Sequence, residues 1–376
     1  MSGSIYGNIF RISTWGESHG KGVGVTIDGC PSGIPLCEED IQIDLDKRKP
    51  GQSPFSTPRK EADKVEIFSG IFEGKTTGTP IAMIIRNTNQ RSYDYSEISK
   101  IYRPGHTDYT YDQKYGFRDY RGGGRSSGRE TTARVAAGAV ARKILSYLGI
   151  KITGYTSSIG PIEINKDKFD EQEIWNNFLS MPDKEAVKPA EDYLTKLKEE
   201  GNSSGGSIEC IVTGVPVGLG EPVFDKLDAN FAKALMSIGA VKAVEIGAGI
   251  DVATKTGVEN NDFYQIQDDG DITKETNNAG GMIGGISDGS DIFLKAYIKP
   301  TPSIHMTQRT VNKNGEKVSI NVEGRHDPII VPRAVIVVEA MVAVTLVDML
   351  LLNMSTKMDN VLKVYGNDIN SLDIKM

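Results

Sequence analysis

Cysteine is scarce in this chain of 376 residues, which contains only three. Cys30, Cys37 and Cys210 include no closely spaced metal-binding pair, and an odd number cannot all form disulfides within one chain. A reducing compartment, the cytoplasm, is therefore expected. The first residues contain Asn8 and Arg11 and lack the continuous apolar run of an export signal.

Positive charge is outnumbered, since 43 Lys and Arg residues face 50 Asp and Glu residues; the formal net charge is -7 and the pI is near 5.4. Long-range repulsion therefore opposes binding to nucleic acid or to an acidic membrane surface, and neither is an expected partner. Any anionic ligand must be held by cations placed locally. The most apolar stretch, 334–354, is interrupted by Glu339 and Asp348, so it is predicted to be a core helix and not a membrane span.

A hydrophobic content of 38% allows a substantial buried core. Periodicity predicts strands at about 5–13, 22–28, 81–86 and 291–298, and helices at about 38–47, 132–148 and from 333 onwards. His19 falls in the glycine-bounded turn between the first two strands. By contrast, the glycine- and tyrosine-rich stretch 100–128 has no periodicity of either kind, and its aromatic residues and arginines favour an ordered, functional loop over a disordered linker.

The sequence contains a weak internal repeat. Gly29-Cys-Pro-Ser-Gly-Ile34 recurs as Gly214-Val-Pro-Val-Gly-Leu219, and Val65-Glu-Ile-Phe-Ser-Gly70 recurs as Val244-Glu-Ile-Gly-Ala-Gly249. We expect one domain over 1–376, with similar halves at about 5–150 and 206–354 related by a pseudo-twofold axis, and a less regular insertion at about 160–205. Chance similarity between glycine turns is the alternative.

The densest chemical pattern is the glycine- and arginine-rich segment 115–131, which leads directly into a predicted helix. Free backbone N–H groups at the start of a helix form a ready phosphate site. The arginines able to grip a phosphate or carboxylate there are Arg121, Arg125, Arg129 and Arg134. Two other interpretations stand beside this one: Ser127 and Glu130 have the spacing of a capping box, and Arg-Gly-Gly also occurs in RNA-binding segments, although those repeat over long tracts.

Histidine occurs only four times. His19, His106 and His326 lie among glycine, proline and charged residues, and imidazole can give or take a proton near neutral pH. A surface or hydrogen-bonding role is the commoner one for any single loop histidine. No two histidines have a metal-binding spacing and none has a neighbouring cysteine, so no metal is expected.

Two further loops follow predicted strands. Lys299-Pro-Thr-Pro-Ser-Ile-His305 offers hydroxyl and backbone donors beside a cation, as a phosphate loop does, and a surface turn is the alternative. The glycines of 278–287 let a flat ring lie against the backbone because they have no Cβ, or they simply form tight turns.

Taken together and in this order, these segments resemble the chorismate synthase family from Gly7 to about Asp348. The motifs that carry the resemblance are Trp15-Gly-Glu-Ser-His-Gly20, Arg103-Pro-Gly-His106, the block 115–139, Gly218-Leu-Gly-Glu-Pro-Val-Phe-Asp225, and Gly324-Arg-His-Asp-Pro328 followed by Pro332-Arg-Ala334. One such motif would be weak, but five in sequence leave little room for another family.

The resemblance implies an α/β fold, a β-α-β sandwich with helices between antiparallel sheets in two pseudo-symmetric halves, and a homotetramer. It implies loss of phosphate from 5-enolpyruvylshikimate 3-phosphate to give chorismate, without net redox change but with reduced FMN as cofactor and NADPH as a candidate reductant. The alternative within flavin chemistry is an FMN oxidoreductase that performs net hydride transfer. An RNA-binding protein is the non-enzymatic alternative.

The resemblance also assigns residues. It gives His19 the protonation of the departing phosphate, His106 the protonation or stabilisation of reduced flavin, and Asp327 the relay of a proton through flavin N5, aided by Ser18 and Ser127. The positions matched to FMN contacts are Arg125, Ser126, Ser127, Gly239, Ala240, Gly284, Lys299, Pro300, Thr301, Pro302, Ser303 and Arg325. Those matched or proposed for substrate or NADPH are Arg48, Arg129 and Arg134. Pro54 and Pro302 depart from the family pattern, at an arginine and a small polar position respectively.

Overall fold

The structure is a computed structural model that describes residues 3–51, 55, 61–88, 98–120, 123–268, 270, 272–321 and 327–366. Its α-helices within this part are α1 Glu38–Arg48, α2 Asp108–Tyr115, α3 Thr131–Ser146, α4 Lys184–Glu199, α5 Leu227–Met236, α6 Gly257–Asn260, α7 Val331–Asn353 and α8 Met358–Tyr365. Its strands are β1 Ile5–Tyr6, β2 Arg11–Gly16, β3 Gly22–Asp28, β4 Val65–Ile67, β5 Ile71–Phe72, β6 Lys75–Thr76, β7 Ile81–Arg86, β8 Lys151–Ile159, β9 Ile162–Glu163, β10 Gly206–Thr213, β11 Val241–Ile246, β12 Tyr264–Ile266, β13 Ile272–Lys274, β14 Met282–Ile283, β15 Ile286–Ser287, β16 Ile292–Ile298, β17 Thr307–Val311 and β18 Lys317–Asn321.

Two antiparallel sheets enclose a layer of helices. The strand order is β1-β2-β3-β7-β4 in one sheet and β11-β16-β10-β8-β9 in the other. Helices α1 and α3 pack on the first sheet, α5 and α7 pack on the second, and α3 packs along α7. Alternate residues of β7, namely Ile81, Met83 and Ile85, are fully buried against these helices. The predicted sandwich with helices between antiparallel sheets is confirmed.

The two sheets share one strand topology. Strands β2, β3, β7 and β4 are neighbours in the same order as β8, β10, β16 and β11. Gly29 follows β3 with φ +76° and Gly214 follows β10 with φ +78°, so equivalent turns use the left-handed region that glycine adopts readily. This agreement is what the internal repeat leads us to expect, while the division into halves at 5–150 and 206–354 stays a prediction.

Helix α7 contains the apolar stretch that was predicted to be a core helix because Glu339 and Asp348 interrupt it. It is long and apolar enough to cross a membrane, but 83% of its most apolar window is buried inside the protein, as in a core helix. Glu339 accepts the backbone N–H of Gly154 at 2.7 Å and the guanidinium of Arg142 at 2.6 Å. Asp348 accepts three consecutive backbone N–H groups, those of residues 8–10, at 2.7 to 3.1 Å. Both acids are therefore satisfied inside the core.

The expectation of an irregular loop over 100–128 was wrong in part. The stretch 100–128 contains α2, which the sequence does not reveal because its residues form no apolar stripe. Its end signals are nevertheless regular, since Asp108 is its first residue and Gly116 ends it in the left-handed conformation at φ +80°. The insertion at about 160–205 contains the 16-residue helix α4, capped by the Asp183 side chain.

Substituting Gly138 tests the contact between the two central helices. A Cβ at this position would lie 2.3 Å from the Cβ of Ala340 on α7, so the helices could not remain at their present separation. We expect Gly138→Ala to lower the free energy of unfolding by about 1–3 kcal/mol, the usual cost of overpacking a core. Urea denaturation measures it. Gly257→Ala is the matched control because open space surrounds that position, and equal unfolding energies for both variants would contradict the tight helix contact.

Candidate functional site

His19 lies in the turn that follows β2. Ser18 is only 2% exposed, and its hydroxyl oxygen is 3.0 Å from Nδ1 of His19. The side-chain amide of Asn87 donates to the carbonyls of Glu17 and Gly20, both at 2.9 Å. Asn87 therefore fixes the shape of the turn that carries His19.

A buried cluster of one acid and two arginines supports this turn. Arg129 donates from Nε to Oδ1 of Asn87 at 2.9 Å and also pairs with Asp63. Arg48 donates to the other oxygen of Asp63 at 3.0 Å and to the carbonyl of Gly128 at 2.6 Å. The Asp63 side chain is fully buried and its φ is +47°. We call Arg48, Asp63 and Arg129 the buried triad.

Both arginines of the buried triad were predicted to contact substrate or NADPH. In this structure their donors are used by protein groups, and burial together with the nearby Arg333 lowers the pKa of Arg48 to about 10. Two guanidinium groups share one carboxylate, so the triad keeps a net positive charge. It can therefore attract an anion electrostatically without giving up its internal hydrogen bonds.

His106 lies in the loop between β7 and α2. Its Nδ1 is 3.0 Å from the carbonyl of Pro104, which can only accept, so Nδ1 carries a proton. Its Nε2 is 3.0 Å from the hydroxyl of Ser303, which donates to it when the ring is neutral. Burial, and next the charge of Arg103, lower the pKa of His106 below its ordinary value. The His106 imidazole is therefore neutral, and its Nε2 acts as a hydrogen-bond acceptor.

The loop after β16 meets the His106 loop. Lys299 donates its ammonium to the carbonyl of Gly105 at 3.1 Å, and its backbone N–H bonds to the carbonyl of Ala240 at 2.9 Å. Ala240 adopts φ +76°, rare for a residue with a side chain. The contact of Pro302 with Gly105 is so close that a Cβ on the glycine would lie 2.6 Å from the proline ring.

Asp327 joins this loop to the buried triad. The hydroxyl of Thr301 donates to the Asp327 backbone carbonyl at 2.8 Å. Its carboxylate accepts from Nη1 of Arg333 at 2.7 Å, and Nε of Arg333 donates to the carbonyl of Arg48 at 3.3 Å. Arg333 thus links Asp327 to the end of α1.

The glycine-rich loop completes the circuit. The hydroxyls of Thr107 and Ser126 are 2.7 Å apart, next to His106. Arg125 donates to the hydroxyl of Thr14 at 2.6 Å and to the carbonyl of Gly16 at 3.2 Å, in the segment before His19. The segments 14–20, 103–107, 123–129, 299–303 and 327–333 are therefore connected by direct contacts, and we call them the site loops.

Ser127 shows the capping role that was one of its two interpretations. Its hydroxyl accepts the backbone N–H of Arg129 at 3.2 Å, in a short 3-10 turn that precedes α3. Glu130 does not complete a reciprocal box in this structure, because its carboxylate pairs with Arg134 at 3.0 Å. Capping does not remove Ser127 from the site, since the residue lies between the Ser126 and Arg129 contacts of the site loops.

The remaining predicted positions lie further from this circuit or outside the described part of the chain. Arg134 donates to the hydroxyl of Ser237 at 2.6 Å and so braces the turn that leads to Gly239 and Ala240. Gly284 lies in the exposed turn between β14 and β15 at φ +63°. Arg325, Arg121, Pro54 and His326 lie outside the described residues.

The donor set fits a flavin phosphate. Lys299 supplies a half-buried ammonium, Thr301, Ser303 and Ser126 supply hydroxyls, and the turn at Ala240 brings backbone close to them. In a chain with net charge -7, an ammonium beside hydroxyls on two adjoining loops suits a phosphate monoester. The phosphate would replace the carbonyls of Asp327 and Gly123, to which Thr301 and Ser126 now donate.

Sequence reasoning missed several residues that organise the site. Asp63 stands in the charged run 60–64, which resembles a solvated turn, and only the need of two buried arginines for a counter-ion could have pointed to it. Asn87 and Arg333 also went unassigned, although Arg333 lies within a quoted family motif. Asp108 binds the backbone N–H and the guanidinium of Arg103 at 2.8 to 3.0 Å and thereby clamps the loop around His106.

Changing Asp108 tests how this clamp sets the state of His106. The negative charge of Asp108 raises the pKa of His106, whereas Arg103 and Lys299 lower it. Asp108→Asn should therefore move the titration of His106 to lower pH, as followed by NMR of the ring protons of the four histidines. Asp112→Asn on the same helix is the control. An upward shift in Asp108→Asn would show that opening the loop to water outweighs the lost charge.

The depressed pKa of His106 also sets the sign of its effect on stability. At a pH below the ordinary histidine pKa of about 6.5, His106 binds a proton in the unfolded chain more readily than in the folded chain. The contribution of His106 to stability is therefore present above that pH and is lost as the pH falls towards the folded-state pKa.

A cavity of about 370 Å³ lies beside the site loops. It is bounded by the last turn of α1, the segment 175–180 and the first turn of α7, and it shares Ile329, Pro332 and Arg333 with the site loops. Neither His19 nor His106 lines it.

Comparison with known proteins gives consistent results. The family described as chorismate synthase matches residues 10–351. The chain is 63% identical over 365 residues to a chorismate synthase from Agathobacter rectalis, covering 97% of this chain and 99% of that one. It is 62% identical to one from Lachnoclostridium phytofermentans over 97% of this chain and the whole of that one. A solved structure described as a crystal structure of chorismate synthase superposes with a TM-score of 0.73 at 33% identity, covering 95% of this chain and 96% of that one.

Proposed function

This chain belongs to the chorismate synthase family, and from that premise we propose that the site loops form its active site and hold FMN as the reduced flavin. As a member, it is a carbon–oxygen lyase that eliminates phosphate from 5-enolpyruvylshikimate 3-phosphate to give chorismate in the shikimate pathway. The circuit of contacts that joins the loops of His19, His106 and Asp327 is the observation that supports the proposed site.

Reduced flavin, which this family uses, supplies when bound the transient electron density that lets phosphate depart without net redox change. We assign its phosphate to Lys299, Pro300, Thr301, Pro302 and Ser303. The other proposed FMN contacts are Arg125, Ser126, Ser127, Gly239, Ala240, Gly284 and Arg325. Pro302 has no N–H to donate, so the backbone N–H groups of its neighbours Thr301 and Ser303 would provide the donors on this loop.

Proton transfer is assigned to three loops. His19 is proposed to protonate the departing phosphate, and its Ser18 neighbour orients the ring through Nδ1. His106 holds a proton on Nδ1 against Pro104 and offers Nε2 to its surroundings through Ser303. Asp327 is proposed as the proton relay, and Ser127 is proposed to aid it. Arg333 fixes the orientation of the Asp327 carboxylate.

Substrate binding is assigned to the region around the buried triad, which carries a net positive charge. Arg48 and Arg129 share the single charge of Asp63, and the remaining positive charge would attract the phosphate and carboxylates of the substrate. Arg134 is the third residue proposed for substrate or NADPH, acting through the turn at Ser237.

Four further properties are part of the proposal. The chain is proposed to act as a homotetramer in the cytoplasm, with NADPH as the candidate reductant of the flavin. Its single domain is proposed to consist of the two halves and the insertion defined from the internal repeat. The shared strand order of the two sheets supports that division.

The ratio of NADPH consumed to chorismate formed tests the proposed reaction against an FMN oxidoreductase. With a small amount of FMN kept reduced under anaerobic conditions, many molecules of chorismate should form for each flavin, and NADPH consumption should not rise with product. One NADPH oxidised for each product molecule would support net hydride transfer and contradict the lyase proposal.

A further inference from the structure

The cavity beside the site loops has the size and chemistry of a small-molecule site. Its volume of about 370 Å³ falls in the range of known ligand pockets. Three cations line it, Lys47, Lys49 and Arg333. They pair with Asp44 at 4.0 Å, Asp46 at 2.9 Å and Asp327 at 2.7 Å respectively. A ligand carboxylate would therefore bind here by competing with protein carboxylates for these cations.

Aromatic side chains form the other part of the wall. Phe55, Trp175 and Phe178 line the cavity, and the ammonium of Lys47 lies 4.6 Å from the centre of the Trp175 ring. The Trp175 side chain is 40% exposed although it is large and apolar. Flat apolar rings beside cations suit a ligand that combines a ring with a carboxylate.

The cavity lies on the opposite side of the end of α1 from the buried triad. The side chain of Arg48 points to Asp63, Thr131 and Gly128, whereas its neighbours Lys47 and Lys49 line the cavity. Arg333 belongs to both regions, because it lines the cavity and also donates to Asp327. A carboxylate that binds Arg333 from the cavity would compete with Asp327 for this guanidinium.

We propose that this cavity binds a small ring carboxylate and that its occupation slows turnover by drawing Arg333 away from Asp327. The effect on turnover rests on the proposed role of Asp327, whereas binding does not. Two sources share this chemistry: the product chorismate itself, and aromatic carboxylates formed from it by later reactions.

Isothermal titration calorimetry of the whole protein with 4-hydroxybenzoate and, separately, with chorismate tests the site. Trp175→Ala removes the largest ring and Lys47→Gln removes a cation while keeping most of the side-chain length. Each should raise the Kd for 4-hydroxybenzoate about tenfold, which is the loss of one aromatic or cationic contact. Phe72→Ala is the control, because Phe72 is 69% exposed and does not line the cavity.

Steady-state inhibition identifies the source and the effect on turnover. Added ring carboxylate should lower kcat without raising KM, and Trp175→Ala should abolish this inhibition while its uninhibited turnover stays at the wild-type level. Stronger inhibition by chorismate than by 4-hydroxybenzoate would identify the product as the natural ligand, and the reverse order would identify an aromatic carboxylate.

The proposal is overturned if the wild-type protein gives no saturable heat with either compound. It is also overturned if binding is unchanged in both Trp175→Ala and Lys47→Gln. Saturable binding that the variants weaken, in a protein without lyase activity, would keep the cavity site and reject the proposed function instead.

Discussion

Replacing His106 or His19 with alanine should reduce turnover by about two to four orders of magnitude, the range expected for losing acid–base assistance. His106 presents Nε2 as an acceptor beside Ser303, and His19 has its Nδ1 beside the buried Ser18. Phosphate release under anaerobic conditions with reduced FMN supplied measures the effect.

His305→Ala is the matched control for both variants. His305 is exposed and lies two residues beyond Ser303, outside the site loops as defined. Circular dichroism and urea unfolding should show all three variants folded. Wild-type turnover in both His19→Ala and His106→Ala would remove these residues from the mechanism, whereas a comparable loss in His305→Ala would point to damage to the loop instead.

Asp63→Asn should cause the largest loss of stability among single substitutions in the site. The change keeps the shape of the side chain, and asparagine tolerates the left-handed backbone that Asp63 adopts at φ +47°. It leaves Arg48 and Arg129, which are each 4% exposed, buried without a counter-ion. Breaking a buried pair in this way costs about 3–5 kcal/mol in unfolding free energy. Urea denaturation measures it.

Asp28→Asn provides the comparison. Asp28 also pairs with an arginine, Arg11, at 3.2 Å, but both side chains are about half exposed. Water screens that pair, so its loss should cost less than about 1 kcal/mol. If the two variants lost similar amounts of stability, Asp63 would not be the counter-ion that holds the buried triad together.

Much of the fold could be predicted because its strongest sequence patterns are local. Strand β7, helix α1 and helix α7 were located to within a few residues from their apolar patterns, and Pro50 and Gly51 marked the end of α1. The assignment of α7 to the protein and not to a membrane followed from Glu339 and Asp348, because charges are costly at a bilayer centre. Their burial, with 2% exposed in each case, could not be predicted. Helix α2 was missed because its side chains follow no apolar period and its stability comes from Asp108 and Gly116 at its ends.

The site could be predicted only in part because its organisation depends on contacts between distant segments. Loops that carry His19, His106 and Asp327 were recognised from motifs. The acid that pairs with Arg48 and Arg129 could not be identified, because Asp63 is one of many acidic residues and its partners lie 15 and 66 positions away in the chain. Likewise, Arg125, Arg129 and Arg134, which were predicted to grip anions, donate to protein groups in this structure, and a sequence does not reveal such contacts.

The yield of phosphate and chorismate in one anaerobic reaction tests the central claim most directly. The protein is mixed with reduced FMN and 5-enolpyruvylshikimate 3-phosphate, and both products are measured over time. The account predicts that phosphate and chorismate appear in equal amounts, at a rate that depends on His19, His106 and Asp327. Absence of chorismate would contradict it. So would a triple variant that lacks all three side chains and still forms chorismate at the wild-type rate.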